Sequence, residues 1–162
     1  MNSWIKDLIL EEQDMEATGM ITPSGSHFSE QFVETETLEF LKELKTIYIT
    51  LCKQYNDFKG SAGGHIKVYG ISGTLTDFML FKNNFKLVFS YNAPGFISIK
   101  SNRMSAVSLP GQESTEDAGS IQGMLEAKRG IYDNLVWTYK DQDVALDPMC
   151  KYFLTKFVRE SF

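Results

Sequence analysis

Reactive side chains are scarce in this chain, and each scarcity excludes a class of chemistry. Among 162 residues there are two histidines, His27 and His65, and two cysteines, Cys52 and Cys150. Histidine-activated nucleophilic catalysis needs a histidine held beside a serine or cysteine. Here His27 lies in a Ser/Gly-rich linker, His65 stands beside glycines at a strand start, and neither spacing matches a nucleophile motif. Both cysteines sit in apolar helical runs, where a thiol behaves as a small buried hydrophobe. Read as reduced, they point to a cytoplasmic setting. No run approaches the roughly 18 apolar residues of a membrane span, the first residues lack a secretory signal, and no Asn-x-Ser/Thr acceptor occurs.

Metal and phosphate signals are equally thin. Asp141, Asp143 and Asp147 gather carboxylates that could hold a hard cation, but a calcium loop wants glycine where this run has Leu146 and glutamate where it has Tyr152. A solvated turn followed by a helix cap at Asp147-Pro148 explains the same residues. The glycine-rich stretch 60–64 runs from a helix into a strand, the reverse of a phosphate loop, whose anion rests on a helix N-terminus. No catalytic, cofactor-binding or metal-binding residue is assigned, and no cofactor is expected.

What the chain does have is core: 43% hydrophobic and 13% aromatic residues, enough for one domain that folds without disulfides or metals. The clearest pattern runs from Leu75 to Lys100. Phe85, Leu87, Phe89 and Tyr91 alternate with Lys86, Val88 and Ser90, the signature of a half-buried strand. Asn83-Asn84 suits a two-residue hairpin turn, and Asn92-Ala93-Pro94-Gly95 supplies proline and glycine where a tight turn needs them. A helix from about residue 34 or 35 to Tyr55 carries Leu41, Leu44, Tyr48, Leu51, Cys52 and Tyr55 as one stripe, with Phe40 and Ile47 widening it. Met149, Cys150, Phe153, Leu154, Phe157 and Val158 form the buried face of a C-terminal helix. Leu135–Tyr139 reads as a strand that carries Trp137 into the core. Ser101 to Gly123, rich in Ser, Gly and acids, reads as a long loop, with a short helix from Ser120 to Lys128 overlapping its end.

The predicted fold is therefore α+β: an antiparallel meander of three to five strands, packed on one face by the long helix and the C-terminal helix. Residues 1–29 make an amphipathic helix and a linker, and 30–162 a single domain with a long loop at about 101–123. In the first helix, Trp4, Ile5, Leu8 and Ile9 fall at helical spacing, and docking on its own domain or on a second copy would shelter Trp4. The element order resembles, in architecture alone, small dimeric adaptor and secretion-chaperone domains and some bacterial immunity proteins.

Charge is the remaining functional signal. The net charge is -5, yet Lys67, Lys82, Lys86, Lys100 and Arg103 face only one acid, Asp77, between residues 65 and 103. Lys82, Lys86, Lys100 and Arg103 are expected to form a basic sheet face that receives an acidic protein segment, with Trp4 as a second contact. The chain's own stretch from Glu11 to Glu16 is the most local candidate for that segment. The expected function is a non-enzymatic interaction module, adaptor- or chaperone-like and homodimeric. Binding of single-stranded nucleic acid by the basic face is the first alternative, disfavoured by a pI near 5.1 and by aromatics on the leucine side of the best strand. A small enzyme of unidentified class is the second.

Overall fold

The computed structural model describes residues 2–20, 29–61, 63–104 and 116–162, the last segment in backbone alone over 116–118. It contains α1 (Ser3–Thr18), α2 (Glu30–Lys59), β1 (Lys67–Gly70), β2 (Phe78–Lys82), β3 (Phe85–Ala93), β4 (Phe96–Met104), β5 (Glu116–Arg129), β6 (Leu135–Tyr139), β7 (Gln142–Asp143) and α3 (Leu146–Glu160). The strands form one seven-stranded antiparallel sheet in sequence order. The α+β class and the two covering helices are as expected; the strand count of seven exceeds the three to five read from the sequence.

Turn chemistry fixes the register. Asn83 and Asn84 adopt φ of 51° and 61°, the double positive φ of a primed hairpin turn, and pair Lys82 with Phe85 across it. Gly95, at φ 84°, closes the β3–β4 turn. Lys140 and Asp141, at 51° and 64°, make a second hairpin of the same kind without glycine. On the helix side of the sheet, Phe78, Leu80, Phe85, Leu87, Phe89, Ile97, Ile99, Ile121 and Leu125 are buried beneath Leu41, Leu44, Tyr48 and Cys52 of α2 and Met149, Cys150, Phe153 and Phe157 of α3. Phe89 sits at the middle, stacked on Phe78 at 4.8 Å, 5.1 Å from Tyr48 and edge-on to Phe153. Truncating such a residue to alanine costs about 3–5 kcal/mol.

Two polar clamps place α2. Thr37 is buried, donates to Val33 O and accepts the Gly95 amide at 2.9 Å, which ties the front of the helix to the β3–β4 turn. Asn56 donates to Ile66 O and accepts from Ile66 N, both at 2.8 Å, and so guides the chain into β1. The helix is longer than its apolar stripe suggests because Ser29 caps it, accepting from Phe32 N, and Gly60 ends it.

Three expectations are corrected. The loop at about 101–123 is strand at both ends, with β4 reaching Met104 and β5 starting at Glu116; residues 105–115 lie outside the described residues. The helix expected from Ser120 to Lys128 is β5 itself, since Ile121 and Leu125 are held in the sheet by pairing with β4 and β6. Asp147 is not the cap of α3 but a first-turn residue, where its charge meets the positive end of the helix dipole. Trp137, half-buried, stacks on Phe40 at 4.6 Å, so β6 does carry it against the helix layer.

Candidate interaction surface

Both covering helices lie on one side, and among the described residues no helix covers the other. The register assigns its rows. Lys67, Phe81, Lys86 and Asn102 pair across β1 to β4; Tyr69, Met79, Val88, Lys100 and Gln122 form the next row across β1 to β5; Ser90, Ser98 and Met124 follow; Phe96 and Glu126 lie beyond them. Alternation puts all of these opposite Phe85, Leu87 and Phe89. A shallow depression of about 520 Å³ lies over the middle rows, lined by Met79, Lys86, Val88, Ser90, Ser98 and Lys100 among others. The surface is mixed: Lys67 and Lys100 are exposed, Lys86 half-buried, and Tyr69, Phe96 and Met124 keep substantial exposure.

The sequence placed Lys82, Lys86, Lys100 and Arg103 together, and the structure separates them. Lys86 and Lys100 stand on the open face. Lys82 stands on the helix face, 1% exposed, and its Nζ donates to Ser161 Oγ at 3.0 Å and lies 5.3 Å from the centre of the Phe162 ring. Burial, and secondarily the neighbouring Lys59 charge, pull its pKa below the ordinary lysine value. The reason for the misplacement is geometric: a two-residue hairpin sets its flanking residues on one side, so Lys82 must share a face with Phe85. That signal was present in the sequence. Arg103 pairs with Phe85 on the same side, with its guanidinium 5.4 Å from the Phe85 ring and Nη2 donating to Glu160 O at 2.6 Å. Ser120 N and Oγ both donate to the Glu160 carboxylate, so Arg103 belongs to a knot that fastens the end of α3.

Lys67 was counted with the basic cluster, but neither it nor Tyr69 and Phe81 was placed on the open face from the sequence. β1 was seen as a strand, but its phase becomes visible only through pairing with β2. The run Phe78-Met79-Leu80-Phe81 is apolar on both sides, so alternation alone does not say which residues face inward.

α1 contributes no buried residue, and Trp4 is 62% exposed. Docking of this helix on its own domain is therefore not what the structure contains. Along α1, Trp4, Ile5, Leu8 and Met15 form an apolar ridge, and Lys6 is outnumbered by Asp7, Glu11, Glu12, Asp14 and Glu16.

The groups weighed for catalysis are dispersed. Cys52 and Cys150 are buried on the inward faces of α2 and α3, and burial pushes the Cys52 thiol up to about 12. His65 Nε2 lies 2.6 Å from Gly60 O beside β1, while Asp141 pairs with Lys128 at 2.9 Å on the β6–β7 hairpin, at the opposite edge of the sheet. His27 falls outside the described residues. Among the described residues, no cluster of three His, Cys, Asp or Glu could hold a metal ion, and no helix is long and apolar enough to cross a membrane.

No family model matches this chain, and neither a curated protein nor a solved structure matches it.

Proposed function

We propose that this chain is a non-enzymatic protein-interaction module, adaptor- or chaperone-like and homodimeric, whose open sheet face receives an amphipathic acidic segment of a protein. The observation that carries this reading is the composition of the uncovered face. Lysines and apolar side chains are interleaved in its first two rows, so a partner can lay down a hydrophobic ridge there while its acids meet ammonium groups. The apolar contacts supply affinity, and the charges, each pair contributing about 0–1 kcal/mol in water, supply orientation and selectivity against basic segments.

Fluorescence anisotropy with labelled amphipathic helical peptides of unrelated sequence tests this. An acidic peptide binds; a basic peptide of the same apolar pattern does not; and Lys86→Glu with Lys100→Glu weakens binding by about tenfold, the equivalent of about 1.4 kcal/mol. Absence of binding by any acidic peptide at low salt contradicts the reading.

One observation favours a second reading. Tyr69, Phe81 and Phe96 share the open face with Lys67, Lys86 and Lys100, and aromatics beside lysines on a sheet are a platform for stacked bases. The acidic balance of the whole chain opposes approach of a polyanion. Single-stranded DNA or RNA binding more tightly than the acidic peptide in the same assay would establish this alternative.

A further inference from the structure

We infer that the occupant of the open sheet face is α1 of a second copy of this chain, the two copies exchanging their first helices. The inference rests on the open face being a protein-binding surface and names its partner.

Charge is complementary in kind and in position. α1 is acidic, with Glu12 four residues beyond Leu8 and three before Met15, so a carboxylate interrupts the apolar ridge rather than lying on the back of the helix. The open face has the matching pattern: Lys100 stands directly across from Val88, and Lys86 across from Asn102, within an apolar surface that includes Met79, Phe81 and Met124. A ridge with an acid in it docks poorly on a purely apolar face, and well on one with an embedded lysine. The same feature disfavours binding to the helix side, where the sheet is already covered.

Dimensions agree. α1 has 16 residues, about 24 Å of helix. β3 and β4, each of nine residues, run about 30 Å, so the helix is supported from end to end. A helix of this length is marginal in water by itself, which makes its apolar ridge a feature in need of cover. α2 starts beside the β3–β4 turn, to which Thr37 ties it, so the chain leading back to α1 departs from one end of the sheet. Residues 19–29 can span about 36 Å, enough to reach the open face of a neighbour. A single helix footprint is small; exchange about a twofold axis doubles it, toward the roughly 1,000 Å² that a specific interface needs. That doubling favours exchange between copies over a helix folded back on its own sheet.

The test mixes chains grown in ¹⁴N and ¹⁵N medium, each with a photoreactive benzoylphenylalanine at position 8 in place of Leu8, and maps the cross-links by mass spectrometry. The expected result is cross-links from α1 to β2–β5 whose two peptides carry different labels. Lys86→Glu with Lys100→Glu should lower their yield about tenfold, and Glu12→Lys should do the same; α1 holds no buried residue, so the second variant leaves the domain folded. Cross-links to the open face with matched labels only, on a monomeric particle, overturn the exchange and leave the face as a binding surface occupied by its own helix. No cross-links to the open face overturn the inference as well, and the peptide assay then decides separately whether that surface binds any protein.

Discussion

Lys82 carries an ammonium group into the packed end of the helix layer, held by Ser161 Oγ, which itself donates to Val158 O at 2.7 Å. One hydrogen bond and an aromatic face compensate only partly for the hydration lost, which is why its pKa falls. The protonated form is then favoured in the unfolded chain, so stability rises with pH from the lowered folded value up to the ordinary lysine value. Lys82→Met is expected to match or exceed the parent in stability at neutral pH, and its advantage should shrink as pH increases through that window. Urea denaturation at a series of alkaline pH values measures this, and an advantage independent of pH contradicts it. The thiols behave in the opposite sense. Folding holds Cys52 protonated up to about 12, while the unfolded thiol ionises earlier, so this residue costs stability as pH rises past the ordinary thiol range. Cys52→Ala should flatten the alkaline decline. In the native protein at mildly alkaline pH neither Cys52 nor Cys150 should react with iodoacetamide, whereas both should react in denaturant; rapid native labelling would show that the helix layer opens readily.

At the scale of elements, β5 shows both what was readable and what was not. The meander of β2 to β4 was readable because Asn83-Asn84 and Pro94-Gly95 set its turns, and because Phe85, Leu87 and Phe89 alternate with polar residues. α2 was readable from its stripe, but not to its ends, since Ser29 looks like linker until the cap it makes is seen. β5 has weak local strand preference: Gly119 and Gly123 and its acids depress it, and pairing with β4 and β6 overrides that. Gly123 is required by its neighbour, because a Cβ there would lie 2.6 Å from the Tyr139 ring. Gly123→Val should therefore destabilise the protein by about 1–3 kcal/mol, and adding Tyr139→Ala should cost less than the sum of the two changes. Additive losses in thermal denaturation would mean that the ring moves aside without cost. The same reasoning covers the site: Lys86 and Lys100 were placed correctly from the alternation in β3 and β4. Lys82 and Arg103 were not, although the two-residue turn sets Lys82 on the side of Phe85 and alternation from Ile97 and Ile99 sets Arg103 there too.

The molecule as a whole is a sheet with one face packed under two helices and, among the described residues, one face without a helix over it. Among the described residues every buried one falls between Thr37 and Ser161, so the core lies within residues 30–162 and α1 stands outside it. That division allows α1 to be altered without touching the core, and allows the two parts to be recombined in trans. The most direct measurement is an amide NMR titration of ¹⁵N-labelled residues 30–162 with a separate peptide of residues 2–19. Shifts concentrated at Tyr69, Met79, Lys86, Val88, Lys100 and Met124, weakened by salt, are the predicted result. Shifts confined to α2 and α3, or none at any peptide concentration, would contradict the assignment of the open face as the surface through which this chain acts.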